Sequence, residues 1–325
     1  MHDNISYSLQ SIPSDAFLAA RGRIADIIIR TPLMRLNLED TPAEVYLKLE
    51  NLQPTGAFKL RGAANAIRLA TADQLRNGVW TASTGNMAQG VAWCARLLGL
   101  RCTVVAPDNA PEAKLSAIRT LGAEIVLIPF LDWLNIYRTR QYDGMTGLFI
   151  HAFSDAGVMA GNGTLALEIL EDLPDVDAVI TPYGGGGLTC GVAAAFRHFR
   201  ADTRLYAAEV ESAAPVAASL AAGEPVQVEY KPSFVDGIGA PFLFTEMWDF
   251  ARQLLDGSIV VTLEQTVAAI RLLAQRNRVI AEGAGAAAVA AALTGKGGRG
   301  KVVCVVSGGN IDADKLAKIF AGQMP

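Results

Sequence analysis

The sequence lacks the patterns that mark several common classes of enzyme. Its three histidines (His2, His151 and His198) lie far apart, and no HExxH or comparable metal-ligand spacing occurs. Its four cysteines form no CxxC pair, and no serine stands in a GxSxG motif. A zinc or di-iron enzyme and a serine hydrolase are therefore poorly supported.

The sequence also has neither a large excess of one charge nor a long apolar run. With 28 Lys and Arg against 32 Asp and Glu, the net charge is −4, and no basic run offers a surface for nucleic acid or an anionic membrane. No apolar run approaches the length of a membrane span, and "MHDNISYSLQ" lacks the charged start and apolar core of a signal peptide. Together with the scattered cysteines, which we interpret as reduced thiols, this predicts a cytoplasmic protein.

The sequence does contain alternating strand and helix patterns along most of its 325 residues. Apolar strand patterns and helical patterns follow one another, with the clearest strands at 44–50, 78–84, 177–183 and 301–306 and helices at 62–70, 86–99 and 111–122. Such alternation predicts an α/β fold with mostly parallel sheets. Ligands of open α/β sheets bind beyond the carboxyl ends of strands, so the segments that follow these strands are the candidates for chemistry.

Four glycines at 184–187 lie between a predicted strand and a predicted helix. Backbone N–H groups of such a loop and the helix N-terminus converge on an anion, so a phosphate is the favoured ligand over a plain turn. A nicotinamide dinucleotide stays an alternative, because Gly185, Gly187 and Gly191 fit GxGxxxG and Glu209 closes the next strand.

Lys59 distinguishes the two phosphate ligands. In "TGAFKLRGAANA" it stands among small and apolar residues, where loss of solvation would lower its pKa and make the amine a nucleophile. Such an amine forms a Schiff base with an aldehyde, and an aldehyde that also bears a phosphate is pyridoxal 5′-phosphate (PLP). Taken alone, Lys59 is better interpreted as an ordinary surface lysine.

Two further segments join this set. "SGGN" puts the Ser307 hydroxyl at the end of a strand, where it could bond a ring nitrogen, and "STGN" at 83–86 offers N–H groups and hydroxyls to a carboxylate. Each segment alone is equally typical of helix capping, by Ser83 or Thr84 in one case and by Asn310 or Asp312 in the other.

The four segments in this order closely resemble the fold-type II PLP-dependent enzymes, in particular the threonine/serine dehydratases (ammonia-lyases) and serine racemase. "KLENLQPTGAFKLRGA", "STGNMAQGVA", "PYGGGGLTCG" and "SGGN" carry the resemblance, which extends from "TPLMRL" to "VVSGGNID". It implies a tryptophan synthase β-like fold with two open, twisted, mostly parallel sheets flanked by helices. It also implies a large PLP-binding domain of residues 1–69 and 150–325 and a small mobile domain of residues 70–149.

The resemblance further implies the roles of individual residues. Lys59 would hold PLP and exchange the substrate proton, and Thr84 would be a second catalytic residue. The other implied cofactor ligands are Phe58, Asn86, Gly184, Gly185, Gly186, Gly187, Leu188 and Ser307. The implied substrate-binding residues are Ser83, Thr84, Gly85, Asn86 and Met87, together with Gly237 of "DGIGAP".

The implied reaction is dehydration and deamination of a β-hydroxy amino acid, L-threonine or L-serine, to a 2-oxo acid and ammonia. Several positions depart from the family pattern: Thr84 stands where racemases have serine, Met87 replaces a histidine, and Ala57 replaces a serine. An amino-acid racemase, a dehydratase for phenylserine or 3-hydroxyaspartate, and an inactive binding protein therefore stay alternatives.

Three expectations concern other parts of the chain. The family's metal site is not expected here, because Glu209 keeps the first ligand position but Pro215 takes a later acidic one and Glu211 is out of register. Glu282 either faces the active site or favours the start of the following helix. The family also suggests a homodimer or homotetramer, and no regulatory domain is expected after the last helix.

Overall fold

The computed structural model describes residues 12–325, so His2 and the N-terminal stretch considered above lie outside the described residues. The described residues form an α/β protein with thirteen helices and ten strands. The helices are α1 (Ser14–Ile24), α2 (Lys59–Leu69), α3 (Ala72–Leu75), α4 (Asn86–Leu97), α5 (Glu112–Thr120), α6 (Phe130–Thr139), α7 (Ala156–Asp172), α8 (Gly187–Phe199), α9 (Pro215–Ala222), α10 (Thr245–Leu254), α11 (Leu263–Leu272), α12 (Gly283–Leu293) and α13 (Ala313–Phe320).

The strands form two sheets. They are β1 (Leu33–Arg35), β2 (Glu44–Lys48), β3 (Val79–Ala82), β4 (Cys102–Pro107), β5 (Glu124–Ile128), β6 (Leu148–Phe149), β7 (Ala178–Pro182), β8 (Arg204–Val210), β9 (Gly257–Val261) and β10 (Lys301–Val305). The larger sheet has the order β1-β2-β10-β7-β8-β9, in which only β1 is antiparallel to its neighbour. The smaller sheet has the order β5-β4-β3-β6 and is wholly parallel. The α/β fold with two mostly parallel sheets is thereby confirmed.

The strands of the larger sheet are apolar on both faces because helices cover both faces. In β10, Val303 and Val305 pack into a core shared with α2, α7 and α8, whereas Val302 and Cys304 pack into a second core with α12. Since successive side chains of a strand point to opposite faces, this alternation explains why "KVVCVV" is continuously apolar.

Several local signals match the structure closely. Thr262 and Gln265 form the expected capping box before α11, and Gly122 follows α5 with a φ of 90°. The expected helix at 62–70 begins earlier, at Lys59. Strands β1, β6 and β9 had no clear sequence pattern; all three lie at sheet edges, and β1 and β6 have only three and two residues.

The topology brings the candidate segments to one place. The glycine loop follows β7, Ser307 follows β10, and residues 83–85 follow β3, all at carboxyl ends of strands. The two sheets therefore face one another across the region where these loops meet. Within residues 12–325, no helix combines the length and the hydropathy that crossing a membrane would require.

Candidate active site

Backbone hydrogen bonds tie the Lys59 segment to the loop after β10. The N–H of Phe58 donates to the carbonyl of Ser307 at 2.9 Å, and the N–H of Gly309 donates to the carbonyl of Gly56 at 2.9 Å. Gly56 is required here, because its φ is 72° and a side chain would meet Asn310. The position of Lys59 relative to Ser307 is therefore fixed by the backbone.

Lys59 is the first residue of α2, and its amine points into a cavity instead of to the surface. Its Nζ donates to the carbonyl of Ala152 at 2.6 Å and lies 5.2 Å from the centre of the Phe58 ring. Burial lowers the pKa of Lys59 to about 8, and the negative charge of Glu282 offsets only part of this effect. The interpretation of Lys59 as a surface lysine is wrong.

The carbonyl that binds Lys59 belongs to a turn shaped by His151. The Nδ1 atom of His151 accepts from the N–H of Phe153 at 3.2 Å and of Ser154 at 2.8 Å, and Nε2 lies 3.2 Å from the carbonyl of Tyr137. Burial lowers the pKa of His151 to about 3, so the ring is neutral and donates from Nε2. His151 thereby holds Ala152 against Lys59.

The glycine loop is packed so closely that side chains do not fit. A Cβ on Gly185 would lie 2.2 Å from the Phe153 ring, and one on Gly187 would lie 2.7 Å from the Cα of Phe153. Gly186 has a φ of 92°, which glycine adopts readily. The loop ends in the first turn of α8, whose leading N–H groups have no partner inside the helix. Such donors are of the kind that bind an anion at a helix N-terminus.

All the residues that the family resemblance implied for cofactor and substrate line one cavity of about 260 Å³. The set comprises Phe58, Lys59, Ser83, Thr84, Gly85, Asn86, Met87, Gly184, Gly185, Gly186, Gly187, Leu188, Gly237 and Ser307. The cavity thus combines a lysine of lowered pKa, a glycine loop at a helix N-terminus and a serine hydroxyl. The division of these residues between cofactor and substrate is a proposal taken up below.

Asn86 is held by two side chains from the other side of the cavity. Its Nδ2 donates to Glu282 Oε1 at 2.9 Å, and its Oδ1 accepts from Asn310 Nδ2 at 2.8 Å. Gly85, not Ser83 or Thr84, occupies the capping position of α4, so the capping interpretation of those two side chains is wrong.

Several lining residues were missed from the sequence. Trp133 and Tyr137 of α6, Phe153, and the ion pair of Lys114 with Asp236 belong to the same cavity. Their segments carry no motif, since α6 has an ordinary amphipathic pattern and Lys114 resembles any helix-surface lysine. Only the packing of the smaller sheet against the larger one brings them to Lys59.

Glu209 has a structural role at the start of α9. Its carboxylate accepts from the N–H groups of Val216 and Ala217, each at 2.8 Å, and from the hydroxyl of Ser258 at 2.6 Å. It therefore caps α9, in which Pro215 is the first residue, and it does not line the cavity. The nicotinamide alternative loses the acid on which it depended.

The residues of the cavity fit the PLP that the sequence implied. A phosphate has the glycine loop and the α8 N-terminus, an aldehyde has the Lys59 amine, and a pyridine nitrogen has the buried Ser307 hydroxyl. The observation behind this fit is the close packing of the glycine loop against Phe153, which a side chain at position 185 would enter.

Comparison with known sequences gives an independent result. The family described as "Pyridoxal-phosphate dependent enzyme" matches residues 24–308. The chain is 38% identical over 305 residues to an L-threonine ammonia-lyase of Thermotoga maritima, covering 93% of this chain and 76% of that protein. It is also 38% identical over 316 residues to an L-threonine dehydratase catabolic TdcB of Staphylococcus aureus, covering 93% and 90%.

Comparison with solved structures agrees. The structure of maize serine racemase superposes with a TM-score of 0.85 at 33% identity, covering 95% of this chain and 96% of that one.

Proposed function

Because this chain belongs to the family of pyridoxal-phosphate dependent enzymes, we propose that it removes the β-hydroxyl of a β-hydroxy amino acid, L-threonine or L-serine, as water, after which hydrolysis of the resulting enamine takes up one water and releases ammonia. The products are a 2-oxo acid and ammonia, and the enzyme is a lyase. The single observation that carries this proposal is the meeting of Lys59, the glycine loop and Ser307 in one cavity. The names of the two similar bacterial proteins support threonine as a substrate.

The bound cofactor would supply an aldehyde for covalent attachment and a ring that withdraws electrons from the substrate Cα. Lys59 would hold it, the N–H groups from Gly184 to Leu188 would bind its phosphate, and Ser307 and Asn86 would bind polar atoms of its ring. Phe58 lies beside the Lys59 amine and would contact the ring. Ser307 is a neutral donor, so it would leave the ring nitrogen of the bound cofactor without a full charge, which would favour elimination over transamination.

Lys59 and the loop after β3 would act on the substrate. A lysine whose pKa is about 8 has a substantial neutral fraction at neutral pH, so Nζ can take the proton from the substrate Cα. Ser83, Thr84, Gly85 and Met87 would bind the substrate carboxylate through hydroxyls and the N–H groups at the start of α4. Gly237 would form the wall of the substrate site on the opposite side of the cavity.

The walls of the cavity support a ranking of substrates. The indole N–H of Trp133 donates to Val105 and the hydroxyl of Tyr137 donates to Ala82, so both rings offer only apolar surface to the cavity. Such a wall favours the methyl of threonine over serine, and it makes an aryl substrate such as phenylserine the second candidate. A second substrate carboxylate, as in 3-hydroxyaspartate, would meet Asp236 and Glu282 and is disfavoured.

Racemisation is a second activity that one observation favours. Thr84 lines the same cavity as Lys59, and a hydroxyl able to return a proton from the other face of the substrate is what inversion at Cα needs.

We also propose that the protein acts in the cytoplasm as a homodimer or homotetramer. Its four cysteines are free and buried, which suits a reducing compartment.

The test is the spectrum and the products of the purified protein with added PLP. We expect a yellow protein whose absorbance band is lost in Lys59→Ala, and 2-oxo acid from L-threonine at a higher kcat/KM than from L-serine. Phenylserine, 3-hydroxyaspartate and the appearance of the opposite enantiomer complete the panel. A matched control is Lys318→Ala, which changes an exposed helix lysine far from the cavity.

Two results would contradict the proposal at different levels. A protein that gains no absorbance band with PLP would overturn the cofactor and the reaction together. A yellow protein that gives oxo acid from phenylserine but none from threonine or serine would overturn only the substrate.

A further inference from the structure

Glu282 is a buried acid whose side chain does not serve its own helix. It occupies the capping position before α12, but its carboxylate makes no capping hydrogen bond to that helix. Its backbone is fixed, since its N–H donates to the carbonyl of Gly308 at 3.0 Å. The side chain is 8% exposed and lines the cavity.

The space around Glu282 is shaped for a carboxyl group. A Cβ on Gly308 would lie 2.6 Å from Glu282 Oε1, and one on Gly237 would lie 3.4 Å from the same atom. Two glycines on different loops therefore leave room for this one side chain. A side chain at Gly308 would displace the carboxyl from the cavity, whereas a Cβ at Gly237 would be in van der Waals contact with it.

The carboxyl holds Asn86 across the cleft between the two sheets. Asn86 begins α4, which packs on the smaller sheet, whereas Glu282 and Asn310 belong to loops of the larger sheet. Asn310 also donates to the carbonyl of Thr55 at 2.8 Å, so the connection continues to the Lys59 segment. Removal of Glu282 would leave the Asn86 amide held at its oxygen alone.

The charged groups that face Glu282 come from three other elements. They are Lys59 of α2, Lys114 of α5 and Asp236 of the loop before α10, and Lys114 is already paired with Asp236 at 2.7 Å. Lys315 of α13 lies 3.8 Å from Asp236 and balances it further. Among the described residues, no cation forms an ion pair with Glu282 itself, so the cost of burying its charge is not offset by a partner.

We propose that Glu282 is a positioning residue of this active site, which orients the Asn86 amide from across the cleft and so couples closure of the cleft to the arrangement around Lys59. The role rests on the proposed function, because Asn86 is proposed to bind the cofactor ring. Glu282 acts through Asn86, so its removal disturbs the site without removing a group that reacts.

A consequence of the burial is a dependence on pH. Burial raises the pKa of Glu282 to about 7, with Asp236 raising it and Asn86 and Lys114 lowering it. The ordinary carboxyl pKa applies in the unfolded chain, so the folded protein binds the proton more tightly. Stability is therefore unaffected well below the ordinary pKa, and it falls as the pH rises from about 4.5 to about 7.

The experiment compares Glu282→Gln, Glu282→Ala and the exposed control Glu264→Gln. Glutamine keeps the size and the acceptor for Asn86 but cannot ionise, whereas alanine removes the acceptor. We expect the alanine variant to bind PLP about tenfold more weakly or worse and to turn over about tenfold more slowly or worse, because it loses one hydrogen bond to a charged group. The glutamine variant should recover most of the cofactor affinity and of the turnover rate. The change of the cofactor band with pH near 7 should vanish in Glu282→Gln and persist in Glu264→Gln.

A second readout uses the protein without cofactor. Its unfolding temperature should fall from about pH 4.5 to about pH 7 in the wild type and in Glu264→Gln, and much less in Glu282→Gln. This readout separates the inference from the proposed function, since it needs neither cofactor nor turnover. It also holds if the alanine variant fails to fold.

Two results would overturn the inference. One is a Glu282→Gln protein whose unfolding and cofactor band follow pH as in the wild type. The other is a folded Glu282→Ala protein that binds PLP and turns over like the wild type. A wild type that gains no cofactor band would instead contradict the proposed function, and the unfolding measurement would then decide the inference alone.

Discussion

At the scale of single residues, the environment of a side chain decides its chemistry. Lys59 and Lys318 are the same residue type on helices of similar length, but one lies in a cavity and the other on the surface. Burial lowers the pKa of Lys59, and the carbonyl of Ala152 orients its amine. The same holds for glycine, because the effect of adding a side chain at a glycine depends on the atoms that surround its Cα.

The first prediction concerns two glycines. Gly185→Ala should destabilise the protein by about 1–3 kcal/mol and weaken cofactor binding, because its Cβ would enter the Phe153 ring. Gly22→Ala should raise stability by up to ~1 kcal/mol, because Gly22 lies inside α1 with nothing within 4 Å of a Cβ. Chemical denaturation of both variants checks the two signs. Equal changes in both variants would contradict the packing argument.

At the scale of elements, α2 is anchored by a buried group of charges behind Lys59. Arg61 donates from Nε and Nη2 to Glu50 at 2.8 Å each, and from Nη1 and Nη2 to Glu168 at 2.6 and 2.9 Å. Lys48 binds Glu168 at 2.6 Å, so two cations and two carboxylates balance. Burial alone would raise the pKa of Glu50, but Arg61 holds it below its usual value. Since Arg61 is two residues from Lys59, the network also sets the start of the helix.

The second prediction tests this network. Arg61→Leu should lower the free energy of unfolding by about 3–5 kcal/mol, because it leaves two buried carboxylates with Lys48 alone. The control is Arg76→Leu, which breaks an exposed pair with Asp73 and should leave unfolding almost unchanged. Urea denaturation at neutral pH measures both. A similar loss in the two variants would show that burial does not decide the effect.

At the scale of the whole molecule, the site lies between two sheets. Met87 and Trp133 come from elements of the smaller sheet, whereas Ser307 and the glycine loop follow strands of the larger one. The ion pair of Lys114 and Asp236 crosses the same cleft. We propose that residues 70–149 form a small domain that moves against residues 1–69 and 150–325, so that substrate entry opens these contacts and substrate binding closes them.

The third prediction follows from that motion. Addition of PLP and L-alanine, which lacks a β-hydroxyl to eliminate, should slow amide hydrogen exchange in 83–87 and in α5 by about tenfold or more. Helix α11 lies on the far side of the larger sheet and should exchange at an unchanged rate. Uniform slowing throughout the chain would indicate general stabilisation by the ligand instead of closure of the cleft.

The sequence by itself determined the α/β class and the residues with which the chemistry begins. Alternating strand and helix patterns are local, and the glycine loop, "STGN" and "SGGN" follow strand ends whatever the rest of the chain does. The parallel topology puts the ends of β7 and β10 at the same edge of the larger sheet, whereas the end of β3 belongs to the smaller sheet and meets them only because the two sheets pack together. The strand ends thus indicated the glycine loop, "STGN" and Ser307 as candidates, whereas the roles of Phe58, Leu188 and Gly237 were implied by the family resemblance.

Only the tertiary structure decided the surroundings of those residues. Lys114, Trp133 and Tyr137 reach the cavity because one sheet packs against the other, and no local pattern records that packing. Glu209 and Glu282 are both buried acids after an alanine, yet one caps α9 and the other holds Asn86. A residue's type sets what it can bind, whereas its long-range contacts, which arise between distant segments, set what it does bind.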